Sequence, residues 1–380
     1  MIAQSLMDIS LPSPLLGGLS PAVFMRRHWQ KKPLLVRQAV VEGLAVASRS
    51  QLLAMAGFDE VESRLIVHRD RVWSLRPGPM SRSVIPPFKQ PNWTLLVQGV
   101  DLHLPAARAL LDRFRFVADA RLDDVMVSYA SDGGGVGPHV DSYDVFLLQT
   151  QGRRRWRIGK LRSPELLAGM PMKILANFQA EQEFLLEPGD MLYLPPGWAH
   201  DGVAEGECMT CSIGFRAAGR DELAREVLQC ALDGADHDER GPLYRDPALE
   251  ATNEPGRIPV ALQAFAADAV ARLLSDRMAL ERALGEFLSE PKRGVWFDAA
   301  SDAEAAESAG NELDQRTRML YDDRHVFING ESFRAGGRDA KLMRRLADRR
   351  RLDARELALL STEARELLGD WLESGWLRTT

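Results

Sequence analysis

The first part of the chain alternates short apolar runs with turns that contain glycine and proline. Six of these runs have the length of β-strands, at residues 92–100, 124–130, 144–150, 154–158, 183–197 and 209–215. Many short strands separated by turn residues are typical of an antiparallel barrel or sandwich. We therefore expect a β-rich domain over residues 1–219, with helices flanking its core near both ends.

The pattern changes in the second half of the chain. Residues 220–233 and 259–290 carry apolar residues at the spacing of amphipathic helices. Asp221 suits the N-cap of the first helix, and Pro259 suits the first turn of the second. This pattern predicts a helical region over residues 220–294.

The last part of the chain opens with an acidic patch rich in glycine and alanine at residues 297–314, which suits either an exposed connector or a weak helix. A short strand at 325–330, three short helical segments and an extended stretch at 376–379 follow it. This succession predicts a winged-helix-like module over residues 295–380. Two interpretations stay open for its arginines, a solvated face balanced by aspartates or a nucleic-acid patch. They are Arg338, Arg344, Arg345, Arg349, Arg350 and Arg351.

Composition narrows the class of protein. The 380 residues are 45% hydrophobic and 27% charged, which predicts a folded chain of two or three domains. A net charge of −6 argues against direct nucleic-acid binding and suits a basic protein partner. With only three cysteines, no signal-peptide pattern and no apolar run of transmembrane length, we expect a cytoplasmic protein without membrane association. Cys208 and Cys211 form a C-x-x-C in a β-like run, and we interpret them as strand residues.

A His and an Asp follow the glycine-rich stretch at residues 133–137. In an extended strand His139 and Asp141 point to the same face, about 7 Å apart. His200 follows another strand and supplies a second imidazole. Two histidines and one carboxylate form the facial triad of non-haem Fe(II) oxygenases, whereas a structural zinc site would close its shell, usually with thiolates. The alternative is a polar cluster at the barrel mouth whose hydrogen bonds are satisfied without a metal.

An arginine-rich strand lies close to this motif in the sequence. Alternation places Arg154 on the same face as Trp156 and Ile158, and the arginines at 153, 155 and 157 on the opposite face. An inward guanidinium is costly unless it is paired, and no acidic partner stands nearby in the sequence. A bound dicarboxylate such as 2-oxoglutarate fits this requirement. A buried pair with a distant Asp or Glu is the alternative.

Five segments carry a resemblance to a known family, at residues 26–37, 92–100, 133–159, 187–202 and 212–217. On these segments the sequence resembles the bacterial JmjC-domain ribosomal oxygenases of the RoxA type. Members of that family are Fe(II)- and 2-oxoglutarate-dependent arginine hydroxylases of a large-subunit ribosomal protein of the uL16 type. The resemblance implies an α+β chain with a double-stranded β-helix (cupin or JmjC) core, a helical dimerisation region, a C-terminal winged-helix-like domain and a homodimer.

The resemblance also implies roles for particular residues. The metal ligands map onto His139, Asp141 and His200, with Fe(II) as the metal and 2-oxoglutarate and O2 as cosubstrates. Arg154 takes the distal carboxylate of 2-oxoglutarate, and Ser212 adds a contact to this cosubstrate. One departure is Thr210, which stands where a relative has Asn, so the resemblance does not establish a cosubstrate contact from that position.

Other functions are compatible with the same residues. The triad also suits histidine hydroxylation or lysine demethylation, since pocket shape decides the substrate. A metal-dependent cupin isomerase or sugar-binding protein would need neither O2 nor 2-oxoglutarate. A winged-helix regulator with a ligand-sensing β-domain is a further alternative, and the acidic net charge counts against it.

Overall fold

The computed structural model describes residues 8–69, 72–233, 243–247, 256–298, 310–334 and 336–380. The strands are β1 Leu34–Val36, β2 Ser63–Arg69, β3 Val72–Pro77, β4 Trp93–Val97, β5 Leu122–Ala130, β6 His139–Val140, β7 Val145–Lys160, β8 Gln182–Leu186, β9 Met191–Leu194, β10 Trp198–Phe215, β11 Asn311–Leu313, β12 Met319–Tyr321, β13 His325–Ile328, β14 Glu331–Arg334, β15 Arg351–Leu352 and β16 Leu377–Thr379. The α-helices are α1 Pro21–Arg27, α2 Arg49–Met55, α3 Pro105–Asp112, α4 Arg220–Asp233, α5 Val260–Ser275, α6 Arg277–Ser289, α7 Gly337–Arg349, α8 Ala354–Leu357 and α9 Thr362–Glu373.

A ten-stranded antiparallel sheet forms the first domain. Its main path runs β1-β9-β7-β10-β5-β4-β2-β3, while β6 pairs with β10 and β8 pairs with β7. The long strands β7 and β10 pair with each other from Trp198 opposite Lys160 to Gly214 opposite Val145. The expected antiparallel β-rich core is confirmed, and β7 and β10 are its central pair.

Strand alternation gives the sheet two different faces. On β5 and β10, Val127 and Cys211 belong to a large apolar core that also includes Phe24 of α1. Removing this apolar surface from water contributes about 25 cal/mol per Å² to folding. The opposite face of the same two strands carries Ser128 and Thr210, which pair in register. A polar face therefore lies behind a well-packed apolar one.

Some strand boundaries differ from the prediction. The expected strands 144–150 and 154–158 form the single strand β7, because pairing with β10 resumes after a register shift between Glu205 and Met209. The expected strand 183–197 is instead divided into β8 and β9 by a turn at Pro188 and Gly189. Long-range pairing decides the first difference and local turn chemistry the second.

The starts of two helices differ from the prediction by one or two residues. The helix α4 begins at Arg220, so Asp221 lies in its first turn and is not the N-cap. Pro259 is the N-cap of α5 and does not occupy its first turn. Asp276 caps α6 by accepting a hydrogen bond from the backbone of Ala279. The helix α6 contacts both α4 and the sheet β12-β13-β14, so it links the helical region to the C-terminal module.

Two small sheets, β15-β11-β16 and β12-β13-β14, and the helices α7 to α9 form the C-terminal module. Leu346, Trp371 and Leu377 are among the buried residues of its own apolar core. The predicted connector at 297–314 was wrong at its end, where residues 311–313 form β11. Residues 299–309 of that connector lie outside the described residues.

Two glycines allow a test of how α6 packs against β13. A Cβ at Gly285 would lie 2.2 to 2.4 Å from ring atoms of Phe327, whereas at Gly369, within α9, no heavy atom of the described chain comes within 4 Å. We expect Gly285→Ala to lower the free energy of unfolding by about 1–3 kcal/mol through overpacking. Gly369→Ala should raise it by about 0.5–1 kcal/mol, because alanine loses less entropy in a helix. Urea titrations of both variants measure these changes, and a loss at Gly369 matching that at Gly285 would contradict the packing described.

Candidate metal centre

Two strands and one loop position the candidate metal ligands. His139 on β6 lies opposite His200 on β10 in the antiparallel register, and Asp141 follows immediately after β6. The glycine-rich loop before β6 packs tightly on its neighbours, since a Cβ at Gly134 would lie 2.2 Å from the carbonyl oxygen of Trp93. A larger side chain there would displace the loop and with it His139.

The three side chains converge on one point. The Nε2 atom of His200 lies 3.6 Å from Oδ2 of Asp141, and Nε2 of His139 lies 3.9 Å from Oδ1 of the same residue. Their candidate ligand atoms all lie within 4.8 Å of one another, and no other group of three such ligands occurs in the part of the chain that the structure describes. The structure thus brings together the three residues that the sequence singled out.

Backbone contacts orient both imidazoles. Nδ1 of His139 lies 2.9 Å from the carbonyl oxygen of Gly137, and Nδ1 of His200 lies 3.1 Å from that of Trp198. A carbonyl can only accept, so each Nδ1 carries the proton and each Nε2 presents its lone pair to the site. Burial lowers the pKa of His200 to about 4, and repulsion from His139 acts in the same direction. A neutral imidazole is the form that binds a metal.

The donor set fits an open metal site and not a closed structural one. Two nitrogens and one carboxylate with no thiolate match the facial arrangement that leaves coordination positions free. Cys208 and Cys211 are buried strand residues of β10, as expected, and neither belongs to a metal-ligand group among the described residues. Cys230 lies on α4.

Arg154 is buried without an ionic partner. Only 4% of its surface is exposed, and its Nη1 donates a hydrogen bond to Oγ of Ser128 at 3.1 Å. Its Nε and Nη2 have no hydrogen-bond partner, and no carboxylate of the described residues forms an ion pair with it. Because an unpaired buried charge is costly, this guanidinium fits a ligand carboxylate. A buried pair with a distant Asp or Glu is absent from the described residues.

The neighbouring arginines face outward, as the alternation predicts. Arg153 and Arg155 pair with Glu205, and Arg155 also pairs with Glu183. Arg157 pairs in the same way with Asp201. These partly exposed ion pairs contribute little to stability, typically about 0–1 kcal/mol each. Among the arginines at 153, 154, 155 and 157, only Arg154 has no ion pair.

The polar face around Arg154 includes residues that the sequence reasoning missed. Ser128 contacts Arg154 directly, and its signal was a polar position inside the otherwise apolar stretch 125–130. Thr210 donates a hydrogen bond to Oε1 of Gln149 at 2.8 Å, so its hydroxyl proton is already used within the protein. Ser212 lies two residues further along β10 and is buried on the same face.

A groove of about 970 Å³ lies between the barrel and the helices α4 and α6, and none of the three candidate ligands lines it. It reaches Tyr143, two residues beyond Asp141, and burial raises the pKa of Tyr143, with the charge of Asp141 adding to the effect. Six carboxylates line this groove, against four lysine or arginine side chains. The carboxylates are Glu60, Glu62, Asp123, Asp124, Glu222 and Glu290. A negative groove suits a positively charged substrate.

A β-barrel that gathers two histidines and one aspartate around one point, with a free inward guanidinium beside them, has the architecture of a non-haem metal oxygenase. Comparison with known proteins identifies the family. Residues 109–223 match the JmjC domain, and residues 272–378 match the ROXA-like winged helix. None of the described helices is both long and apolar enough to cross a bilayer.

Two curated relatives are bacterial. The ribosomal protein uL16 3-hydroxylase of Escherichia coli (strain K12) is 36% identical over 336 residues, which covers 83% of this chain and 86% of that protein. A probable ribosomal oxygenase of Haemophilus influenzae is 34% identical over 253 residues, covering 66% of this chain and 59% of that protein. The chain therefore belongs to the JmjC-domain ribosomal oxygenases.

Solved structures support the same assignment. The X-ray structure of E. coli ycfD matches with a TM-score of 0.82 and 29% identity, over 95% of this chain and 98% of that one. A structure of E. coli YcfD in complex with cobalt and 2-oxoglutarate matches with a TM-score of 0.77 and 30% identity over the same shares. The chain is a 2-oxoglutarate-dependent dioxygenase, an enzyme class that uses Fe(II), 2-oxoglutarate and O2. The expected cupin-type core and winged-helix domain are confirmed.

Proposed function

We propose that this enzyme hydroxylates an arginine side chain of a large-subunit ribosomal protein of the uL16 type, in the cytoplasm where ribosomes are assembled. The observation that carries the proposal is the 36% identity to the E. coli uL16 3-hydroxylase over most of both chains. The preference for arginine comes from the family resemblance, and the acidic groove that reaches Tyr143 supports it. An acidic enzyme also attracts a basic ribosomal protein electrostatically.

His139, Asp141 and His200 would hold the metal, with the two Nε2 atoms and the carboxylate as ligands. Insertion of an oxygen atom into an unactivated C–H bond is the chemistry that Fe(II), O2 and 2-oxoglutarate supply together when bound. The carbonyls of Gly137 and Trp198 keep both imidazoles in the ligating tautomer. The chain thus contributes a prearranged set of donors.

Arg154 would bind the distal carboxylate of 2-oxoglutarate, assisted by Ser128. The free Nε–H and Nη2–H groups can donate two hydrogen bonds to one carboxylate, which is the arrangement that arginine favours. Ser212, buried on the same polar face, is the proposed further contact to the cosubstrate. The ring centroid of Trp156 lies 5.8 Å from Cζ of Arg154 and 5.8 Å from the ring centroid of His200. In this position Trp156 would help to exclude water from the pocket.

The test is mass spectrometry of the organism's large-subunit ribosomal proteins, from cells with and without this chain. We expect a gain of about 16 Da, one oxygen atom, on a single arginine of the uL16-type protein, lost when the chain is deleted. Histidine hydroxylation would place the same mass on a different residue, and lysine demethylation would remove about 14 Da per methyl group without adding oxygen. No change on any ribosomal protein would refute the proposed substrate.

We further propose that residues 1–219 form the catalytic domain, 220–294 a dimerisation region and 295–380 the winged-helix domain, and that the enzyme is a homodimer. The helix α5 supports the dimer, because none of its residues is buried although it is largely apolar. Val260, Val270 and Leu274 are each at least half exposed. Exposed apolar surface of this extent is typical of a protein interface.

Leu274 and Leu359 offer a matched test of the dimer, since each is 52% exposed. We expect Leu274→Asp to convert most of the protein to monomer, because a charge desolvated in an apolar interface is costly. Leu359→Asp, outside the proposed interface, should leave the dimer intact. Light scattering coupled to size-exclusion chromatography measures both masses. A wild-type monomer, or equal dissociation of the two variants, would contradict the proposed interface.

A further inference from the structure

A second cavity lies away from the metal triad, where the barrel meets the C-terminal module. Its volume is about 50 Å³, which is room for one small oxyanion or a few water molecules. Five cationic and three acidic side chains line it. The cationic ones are Arg108, Lys292, Arg316, Arg318 and Arg350, and the acidic ones are Asp101, Asp119 and Asp123. Cations therefore outnumber carboxylates in the lining of this partly open cavity.

The three carboxylates already have partners. Asp119 accepts a hydrogen bond from Arg115 at 2.6 Å. Arg115 also donates hydrogen bonds to the carbonyl oxygens of Ala347 and Asp348 in the last turn of α7. Asp123 lies 2.9 Å from Nζ of Lys292. Asp101 accepts a hydrogen bond from a backbone amide of β5 at 2.8 Å. Two of the three carboxylates are thus paired with a cation, whereas Asp101 is bonded to a neutral amide.

Two of the lining arginines form no ion pair with a carboxylate of the described residues, although Asp119 lies near enough to act on both charges. Among the described residues, the guanidinium of Arg318 forms neither a hydrogen bond nor an ion pair. Arg350 is buried and donates only to the carbonyl oxygens of Asp314, at 2.7 Å, and Thr317, at 3.1 and 3.2 Å. Neutral carbonyls satisfy hydrogen-bond donors without cancelling the positive charge.

The surroundings disfavour these two charges in the absence of a ligand. Burial lowers the pKa of Arg318 to about 10, with repulsion from Arg216 adding to the effect. Burial also lowers the pKa of Arg350 to about 9, and repulsion from Arg108 acts in the same direction. Both values lie above neutral pH, so both groups stay charged in the cavity.

The backbone at Arg350 points to a specific use of its side chain. This residue ends α7 with a φ of 61°, the left-handed conformation that glycine adopts without strain and other residues rarely adopt. Strain of this kind persists where the surrounding structure requires that particular residue. The chain therefore retains a guanidinium at a position where glycine would be easier.

We propose that this cavity binds a small inorganic oxyanion of the phosphate or sulfate class through Arg318 and Arg350. Planar guanidinium groups present paired donors that match the oxygens of such an anion. Arg108 and Lys292 line the same cavity from outside the C-terminal module, where they pair with Asp112 and Asp123. The anion would therefore join the module to the barrel.

The test uses the full-length protein in buffer free of phosphate and sulfate, with chloride holding the ionic strength constant. Inorganic phosphate is titrated by calorimetry, and the melting temperature is followed as phosphate rises. We expect the wild-type protein to bind phosphate and to melt at a higher temperature. Arg318→Gln should weaken binding at least about tenfold and lose the shift, because a charge-assisted contact is removed. Arg338→Gln, which removes the same charge from an exposed position of α7, should behave as wild type.

Equal responses of the wild-type protein and Arg318→Gln would overturn the proposal, since they would show a general salt effect. Absence of binding by the wild-type protein would do the same. Should Arg318→Gln not fold, the wild-type protein crystallised with selenate provides an independent reading. Anomalous selenium density beside Arg318 and Arg350 supports the site, and its absence at saturating selenate rejects it.

Discussion

Alanine at His139, Asp141 or His200 is expected to reduce conversion of 2-oxoglutarate to succinate at least about 100-fold. Residues that merely orient metal ligands typically account for 10–100-fold in affinity or activity, so loss of a ligand itself should cost more. The three side chains act on one metal, and their candidate ligand atoms lie within 4.8 Å of one another. Each variant should also lose bound metal, which elemental analysis of the purified protein measures.

His325 provides the matched control for this experiment. It is buried like His200, at 6% exposure against 2%, but it lies in the C-terminal module beside Asp322. His325→Ala should lose stability through a similar cavity and keep its turnover and metal. Thermal melts separate a folding defect from a site defect. Wild-type turnover by any of the three triad variants would remove that residue from the proposed metal centre.

The second large effect is expected at Arg154. Arg154→Met should raise the KM for 2-oxoglutarate about 10–100-fold, because a buried charge-assisted pair is lost, while turnover at saturating cosubstrate falls less. The same change should raise the stability of the ligand-free protein, since it removes a buried guanidinium that has no ionic partner. A structural arginine would show the opposite, a loss of stability without a selective change in KM.

Arg153→Met is the control beside it in the chain. Arg153 carries the same charge on the same strand, but it is exposed and pairs with Glu205 on the outer face. Its KM for 2-oxoglutarate should stay at the wild-type value. Ser128→Ala should raise KM by a smaller factor, because one neutral hydrogen bond to the guanidinium is lost. An unchanged KM in Arg154→Met would assign the distal carboxylate to another residue.

The local pattern of apolar and polar residues was sufficient to predict most helices and strands, but not all of their boundaries. Alternation along residues 154–158 correctly separated buried Arg154 and Trp156 from the outer arginines, because side-chain direction in a strand follows from the backbone alone. The continuity of β7 across a register shift could not be read in this way, since it depends on pairing with β10, some fifty residues distant. Helix starts were misplaced by one or two residues, because several positions there can serve as caps.

The sequence by itself determined the β-rich and helical regions, the candidate ligands and the inward direction of Arg154, because these depend on short-range periodicity and on the chemistry of single side chains. Only the tertiary structure showed that His139 and His200 lie opposite each other and that Ser128 meets Arg154. It alone revealed the acidic groove and the cationic cavity. Both are formed by residues far apart in the chain. Their charges interact strongly only after folding has brought them together and removed them from water.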